Sequence, residues 1–81
     1  MVLSLSCRKK LACCAEGTEG KIVELTTDNR KILGKLMGLG ILPGTPFRLL
    51  RRRPGFVLQC GYTWVALDLE LAVCIDIESS A

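Results

Sequence analysis

The sequence predicts a mainly β protein, a small closed or half-open β-barrel with one short α-helix inserted early and a short helical turn before the last strand. Three observations carry this. Short β-prone runs separated by glycine and proline fill most of the chain from residue 20 onward. One segment alone, following Thr27-Asp28-Asn29, spaces its apolar residues as a helix face does. At 81 residues, the chain has room for one core, burying ~60–65 % of the surface its unfolded form exposes.

Residues 1–16 read as a partly ordered N-terminal arm, because Leu3, Leu5, Leu11, Ala12 and Ala15 follow no regular period. Residues 17–81 form the barrel domain. Gly17 and Gly20 open it, and Ile22, Val23 and Leu25 make the first strand, with Lys21 and Glu24 in solvent. Thr27, Asp28 and Asn29 are all N-cap types, and Ile32, Leu33, Leu36 and Met37 then form one apolar helix face. The helix ends at Gly38 or Gly40. From Leu36 to Thr45 the chain reads Leu-Met-Gly-Leu-Gly-Ile-Leu-Pro-Gly-Thr, a left-handed helix C-cap followed by a turn in which Pro43 fixes φ and Gly44 supplies a positive φ.

The run Pro46 to Arg53 starts as an alternating strand and loses its alternation at Leu49-Leu50, which predicts a bulge or a bend. Pro54-Gly55 is a turn, Phe56 to Cys60 the return strand, Gly61 a break, and Tyr62 to Leu67 another strand. Asp68 caps one helical turn through Ala72, and the last strand, Cys74 to Glu78, points Ile75 and Ile77 inward. There are no internal repeats.

The charge is unevenly spread. Net charge is +3, yet Arg48, Arg51, Arg52 and Arg53 crowd one segment, and Asp68, Glu70, Asp76 and Glu78 are the only charges after it. The basic side suits an acidic partner, anionic lipid or nucleic acid. No apolar run reaches the ~18 residues that a membrane helix needs. The N-terminal apolar residues precede Arg8-Lys9-Lys10, the reverse of a secretory signal, so a cytoplasmic location is expected.

Catalysis has no visible apparatus. Histidine is absent, the acids form no pair, and neither a GxxxxGK[ST] nor a GxGxxG segment is present. The five cysteines, Cys7, Cys13, Cys14, Cys60 and Cys74, include no CxxC pair, so reduced thiols and no resident cofactor are expected. Cys60 and Cys74 read as buried small hydrophobes, and Cys13 with Cys14 as the place where an adventitious transition metal would bind. Phe47, Phe56, Tyr62 and Trp64 are candidates for stacking bases, but three of them alternate with apolar neighbours in a chain too small to spare them from the core. A protein contact needs only what the chain visibly has: Arg51, Arg52 and Arg53 as carboxylate partners, and Leu39, Ile41 and Leu42 as apolar anchors held by the glycine-proline turn. Strand edges in so small a barrel can pair between chains, so weak self-association at most is expected.

The order Gly20-x-Ile-Val-Glu-Leu, a helix, Leu36 to Thr45, and then Val65-Ala-Leu-x-x-Glu-Leu-Ala-x-x-Ile-x-Ile77 resembles the ferrous iron transport protein A (FeoA) family over residues 17 to 78. The resemblance implies an SH3-like barrel in the bacterial cytoplasm, non-enzymatic, an accessory to the GTP-hydrolysing membrane transporter FeoB. A location at the inner face of the membrane would then come through that partner, and no nucleic acid is expected. Similar barrels end iron-dependent repressors, so a nucleic-acid-binding or metal-dependent regulatory barrel is the alternative. Near the helix start this chain offers a metal only Asp28 and Asn29, followed by basic residues.

Overall fold

The structure is a computed structural model, and it describes residues 7–79. Leu3 and Leu5 of the expected arm lie outside the described residues. Six strands form one antiparallel sheet: β1 (Cys7–Lys10), β2 (Glu19–Leu25), β3 (Pro46–Arg51), β4 (Phe56–Cys60), β5 (Thr63–Leu67) and β6 (Ile75–Ser79). Helix α1 (Arg30–Gly38) connects β2 to β3, and α2 (Leu69–Ala72) connects β5 to β6. The strand order is β1-β6-β2-β3-β4-β5. A 3-10 turn at Leu11–Cys13 packs on β6 and α2, and α2 packs on β5, so the two sheet edges are bridged by helical turns and the barrel is half open.

The sheet begins earlier than the sequence indicated. Cys7 to Lys10 pairs with β6, placing Lys10 opposite Asp76, and the two side chains meet at 2.6 Å. Lys10 Nζ also donates to Thr26 Oγ1 at 2.7 Å. A strand written Cys-Arg-Lys-Lys has no apolar alternation, so the pattern that reveals the other strands is missing here. Leu11 and Cys14, read as part of a loose arm, are fully buried in the core. Full burial of a leucine such as Leu11 contributes roughly 1.5–3 kcal/mol.

The core combines the inward residues of alternating strands, Phe47 and Leu49 of β3, Phe56 and Leu58 of β4, Val65 and Leu67 of β5, and Ile75 and Ile77 of β6, with Leu36 of α1, Ile41 just beyond its end and Leu71 of α2. The bulge falls where alternation fails: the β3–β4 register shifts between Leu49 and Arg51. Gly20 is required by close packing, because a Cβ there would sit on the Glu78 carbonyl and 2.8 Å from Ser79 Cα in β6. Helix α1 is capped by Asn29, whose Oδ1 accepts from the backbone N–H groups of Lys31 at 2.9 Å and Ile32 at 3.3 Å. It docks lightly: Leu36 is buried, Ile32 and Leu33 are half-buried, and Met37, expected on the apolar face, is half exposed. Asp68 caps α2 as expected, with Oδ1 accepting from Leu71 N–H at 2.9 Å.

Candidate partner-binding surface

Helix α1 ends in a Schellman arrangement. Leu39 is the C-cap, Gly40 follows at φ +88, Gly40 N–H donates to Met37 O at 3.0 Å, and Ile41 N–H donates to Leu36 O at 3.0 Å. That motif carries an apolar contact between the residue after the glycine and the one whose carbonyl it bonds, and both Ile41 and Leu36 are fully buried. The next four residues form a turn closed by Thr45 N–H to Leu42 O at 3.1 Å, with Gly44 at φ +90. Two further bonds pin this corner to β2: Gly44 N–H to Ile22 O at 2.6 Å and Ile22 N–H to Thr45 O at 2.9 Å.

The three proposed anchors thus separate. Ile41 is core and cannot touch a partner, whereas Leu39 is 36 % and Leu42 40 % exposed. Met37, half exposed at the end of the same helix, joins them.

The arginines separate as well. Arg52 turns back onto the barrel: Nη2 donates to Ala12 O at 2.9 Å, the guanidinium lies 5.7 Å from the Phe56 ring centroid, and its backbone N–H donates to Glu16 Oε2 at 3.0 Å. It ties the β3–β4 hairpin to the N-terminal segment. Arg51 and Arg53 are exposed beside it. Pro46 and Arg51 stand at opposite ends of β3, ~16 Å apart at ~3.3 Å per residue, so the corner and the arginine tip are two patches, not one.

Between them lies a surface that the sequence reading missed. Register places Arg48 opposite Gln59 and Gln59 opposite Trp64, and in the next row Arg51 opposite Val57 and Val57 opposite Ala66. Leu50, Arg51, Val57 and Trp64 line a hollow of about 450 Å³ on this outer face. Phe47 and Phe56 are core, but Trp64 is 70 % exposed and Tyr62 fully exposed, against the expectation that the barrel would absorb three of its four aromatics. A signal was present: once Val65 and Leu67 face inward, the period of two turns Trp64 outward.

Among the described residues, the four thiols of Cys13, Cys14, Cys60 and Cys74 are not gathered into a site. Cys13 is exposed, Cys60 half-buried, and Cys14 and Cys74 buried, all free. Burial pushes the Cys14 thiol up, with Lys9 and Arg52 pulling the other way, and burial alone pushes up Cys60. Among the described residues, no three Cys, Asp or Glu side chains cluster in a way that could hold a metal ion. No helix among them is long and apolar enough to cross a membrane.

The fold is an SH3-like half-barrel with exposed apolar and basic surface, the class of small accessory domain. The chain belongs to the FeoA domain family, whose model matches residues 9–79. That family is non-catalytic and linked to ferrous iron transport. Its structure is similar to that of an iron uptake regulatory protein FeoA (TM-score 0.83, 19 % identity, covering 91 % of this chain and 99 % of that one). It is also similar to FeoA from Chlorobium tepidum (0.80, 20 %, covering 90 % and 71 %) and to zinc-complexed FeoA from Stenotrophomonas maltophilia, a prokaryotic SH3 domain protein (0.74, 21 %, covering 85 % and 88 %). A manganese-dependent transcriptional repressor contains the same fold (0.84, 22 %), and there the chain spans only 42 % of the repressor's length. No curated protein matches by sequence.

Proposed function

We propose that this chain is a cytoplasmic, non-enzymatic accessory of ferrous iron uptake that binds the cytosolic part of a FeoB-type, GTP-hydrolysing iron transporter and modulates it. The observation that carries the reading is the FeoA family match over nearly the whole described chain. The surface supports it with Leu39 and Leu42 as apolar anchors on a corner fixed by five backbone hydrogen bonds, and with Arg51 and Arg53 as free cations at the other end of β3. Ile41 and Arg52 serve the fold in this reading.

A tagged copy expressed in its native cells is expected to co-purify with a large membrane GTPase. The double reversal Arg51→Glu with Arg53→Glu is expected to weaken capture by roughly tenfold, the effect of losing ~1.4 kcal/mol of binding. Recovery of nucleic acid alone would overturn the reading in favour of a nucleic-acid-binding barrel.

A further inference from the structure

We infer that the outer face of β3–β4–β5 binds an anionic lipid surface directly, with Trp64 and Tyr62 as interfacial rings and Arg48, Arg51 and Arg53 as headgroup contacts. This inference goes beyond the transporter reading and stands or falls without it. It starts from an unexplained cost. A chain with two phenylalanines, one tyrosine and one tryptophan spends half of these rings outside its core, at 70 % and full exposure. The fold does not require either of them there, since Val65 and Leu67 already give β5 its inward face.

The setting of the rings selects the occupant. Both belong to one end of the β4–β5 hairpin, Tyr62 in its turn and Trp64 one residue into β5. Trp64 forms one wall of the shallow hollow yet keeps 70 % of its surface in water, and Tyr62 is fully exposed. Exposed amphipathic rings, apolar in body and polar at one atom, are what the headgroup layer of a bilayer accommodates. Beside them the same face continues as Leu50, Val57 and Ala66, which gives an apolar strip without a long groove.

Charge complementarity supplies the sign. Arg48 shares a cross-strand row with Trp64, Arg51 shares the next row and lines the hollow with it, and Arg53 stands exposed at the hairpin tip. Three carboxylates stand near this face: Glu19 opposite Arg48 on β2, Asp68 in a hollow shared with Arg51, Val57 and Ala66, and Glu16, which accepts from the Arg52 backbone N–H. With Arg48 in the row of Trp64 and Arg51 and Arg53 toward the opposite end of β4 from Tyr62, cations run the length of the face, which favours anionic headgroups over zwitterionic ones.

Trp64 is the chain's only tryptophan, so its fluorescence reports this face and no other. Titration with vesicles of equal phosphatidylcholine and phosphatidylglycerol is expected to move its emission to shorter wavelength and to protect it from aqueous quencher. Phosphatidylcholine vesicles, or the anionic ones at high salt, are expected to do neither. In co-sedimentation, Trp64→Ala and the pair Arg51→Glu with Arg53→Glu should each lower partitioning onto anionic vesicles roughly tenfold, while Val73→Ala, at an exposed apolar residue just after α2, should leave it unchanged. The wild-type emission test does not depend on any variant folding. An unshifted emission on anionic vesicles overturns the inference. So does an equal shift on neutral ones. A shift produced only by the transporter's purified cytosolic fragment assigns the face to a protein instead, which overturns the lipid proposal while leaving the accessory role intact.

Discussion

The two ends of β3 both leave conspicuous residues in water, and they do so for opposite reasons. At the corner, from Leu36 to Thr45, the backbone dictates everything: two glycines at positive φ, three local hydrogen bonds and two to Ile22 determine where each side chain goes. Leu39 and Leu42 are outside because the Schellman motif and the turn point them there. Along the β3–β5 face and at the arginine tip, the backbone is antiparallel sheet with one bulge between Leu49 and Arg51, and Trp64, Tyr62, Arg51 and Arg53 stand exposed without any such web of local bonds fixing them. Sequence specificity and exposed surface are therefore displaced from each other. The most distinctive segment identifies the fold, and the plainer one carries the exposed rings and cations.

The largest expected effect tests the inside of the corner against its outside. Ile41→Ala should cost about 3 kcal/mol in chemical denaturation, because Ile41 is fully buried against Leu36, while Leu42→Ala should change stability by less than ~0.5 kcal/mol. Equal effects would mean that the corner does not sort its side chains as described.

Next comes the backbone itself. Gly44→Ala forces an alanine to φ +90 and is expected to cost ~1–2 kcal/mol although nothing lies within 4 Å of the added methyl. Gly34→Ala, in the interior of α1 and equally open, should instead stabilise by ~0.5–1 kcal/mol. The pair separates conformation from crowding, since space is the same at both sites.

At the arginine tip, Arg52→Ala should lose ~1 kcal/mol through the Ala12 hydrogen bond and the Phe56 contact. Thermal melts of Arg51→Ala are expected to coincide with wild type. A tip in which all three arginines were interchangeable would show the same melt for both variants.

The smallest effect concerns the thiols. Burial holds the Cys14 and Cys60 thiols above their usual value of 9.0, so above about that pH the unfolded chain releases protons that the folded chain retains. Stability is expected to be complete below pH 9.0 and to decline as pH rises beyond it, with Cys60→Ala flattening part of the decline. In the same range an alkylating reagent should modify exposed Cys13 well before Cys14.

Much of this architecture was legible in the chain. The N-cap type at Asn29, the cap at Asp68, the bulge after Leu49 and the positive φ of Gly40 and Gly44 are local matters, each set by a few neighbouring residues. Even Ile41 was readable, since the motif that ends α1 sends the residue after its glycine inward. The strand at Cys7 to Lys10 was not, because pairing with β6 and the contact between Lys10 and Asp76 depend on residues far apart in sequence.

The sequence by itself determined the strand-rich barrel, its inserted helix, its two turns and its family, because periodicity, caps and glycine conformations are short-range physics. Only the tertiary structure decided that Arg52 closes the hairpin onto the N-terminal segment while Arg51 and Arg53 stay free. It also decided that the core is complete without Trp64 and Tyr62. Which of several chemically similar side chains reaches a neighbour depends on strand register and on the far side of the barrel, and no local pattern encodes that distance.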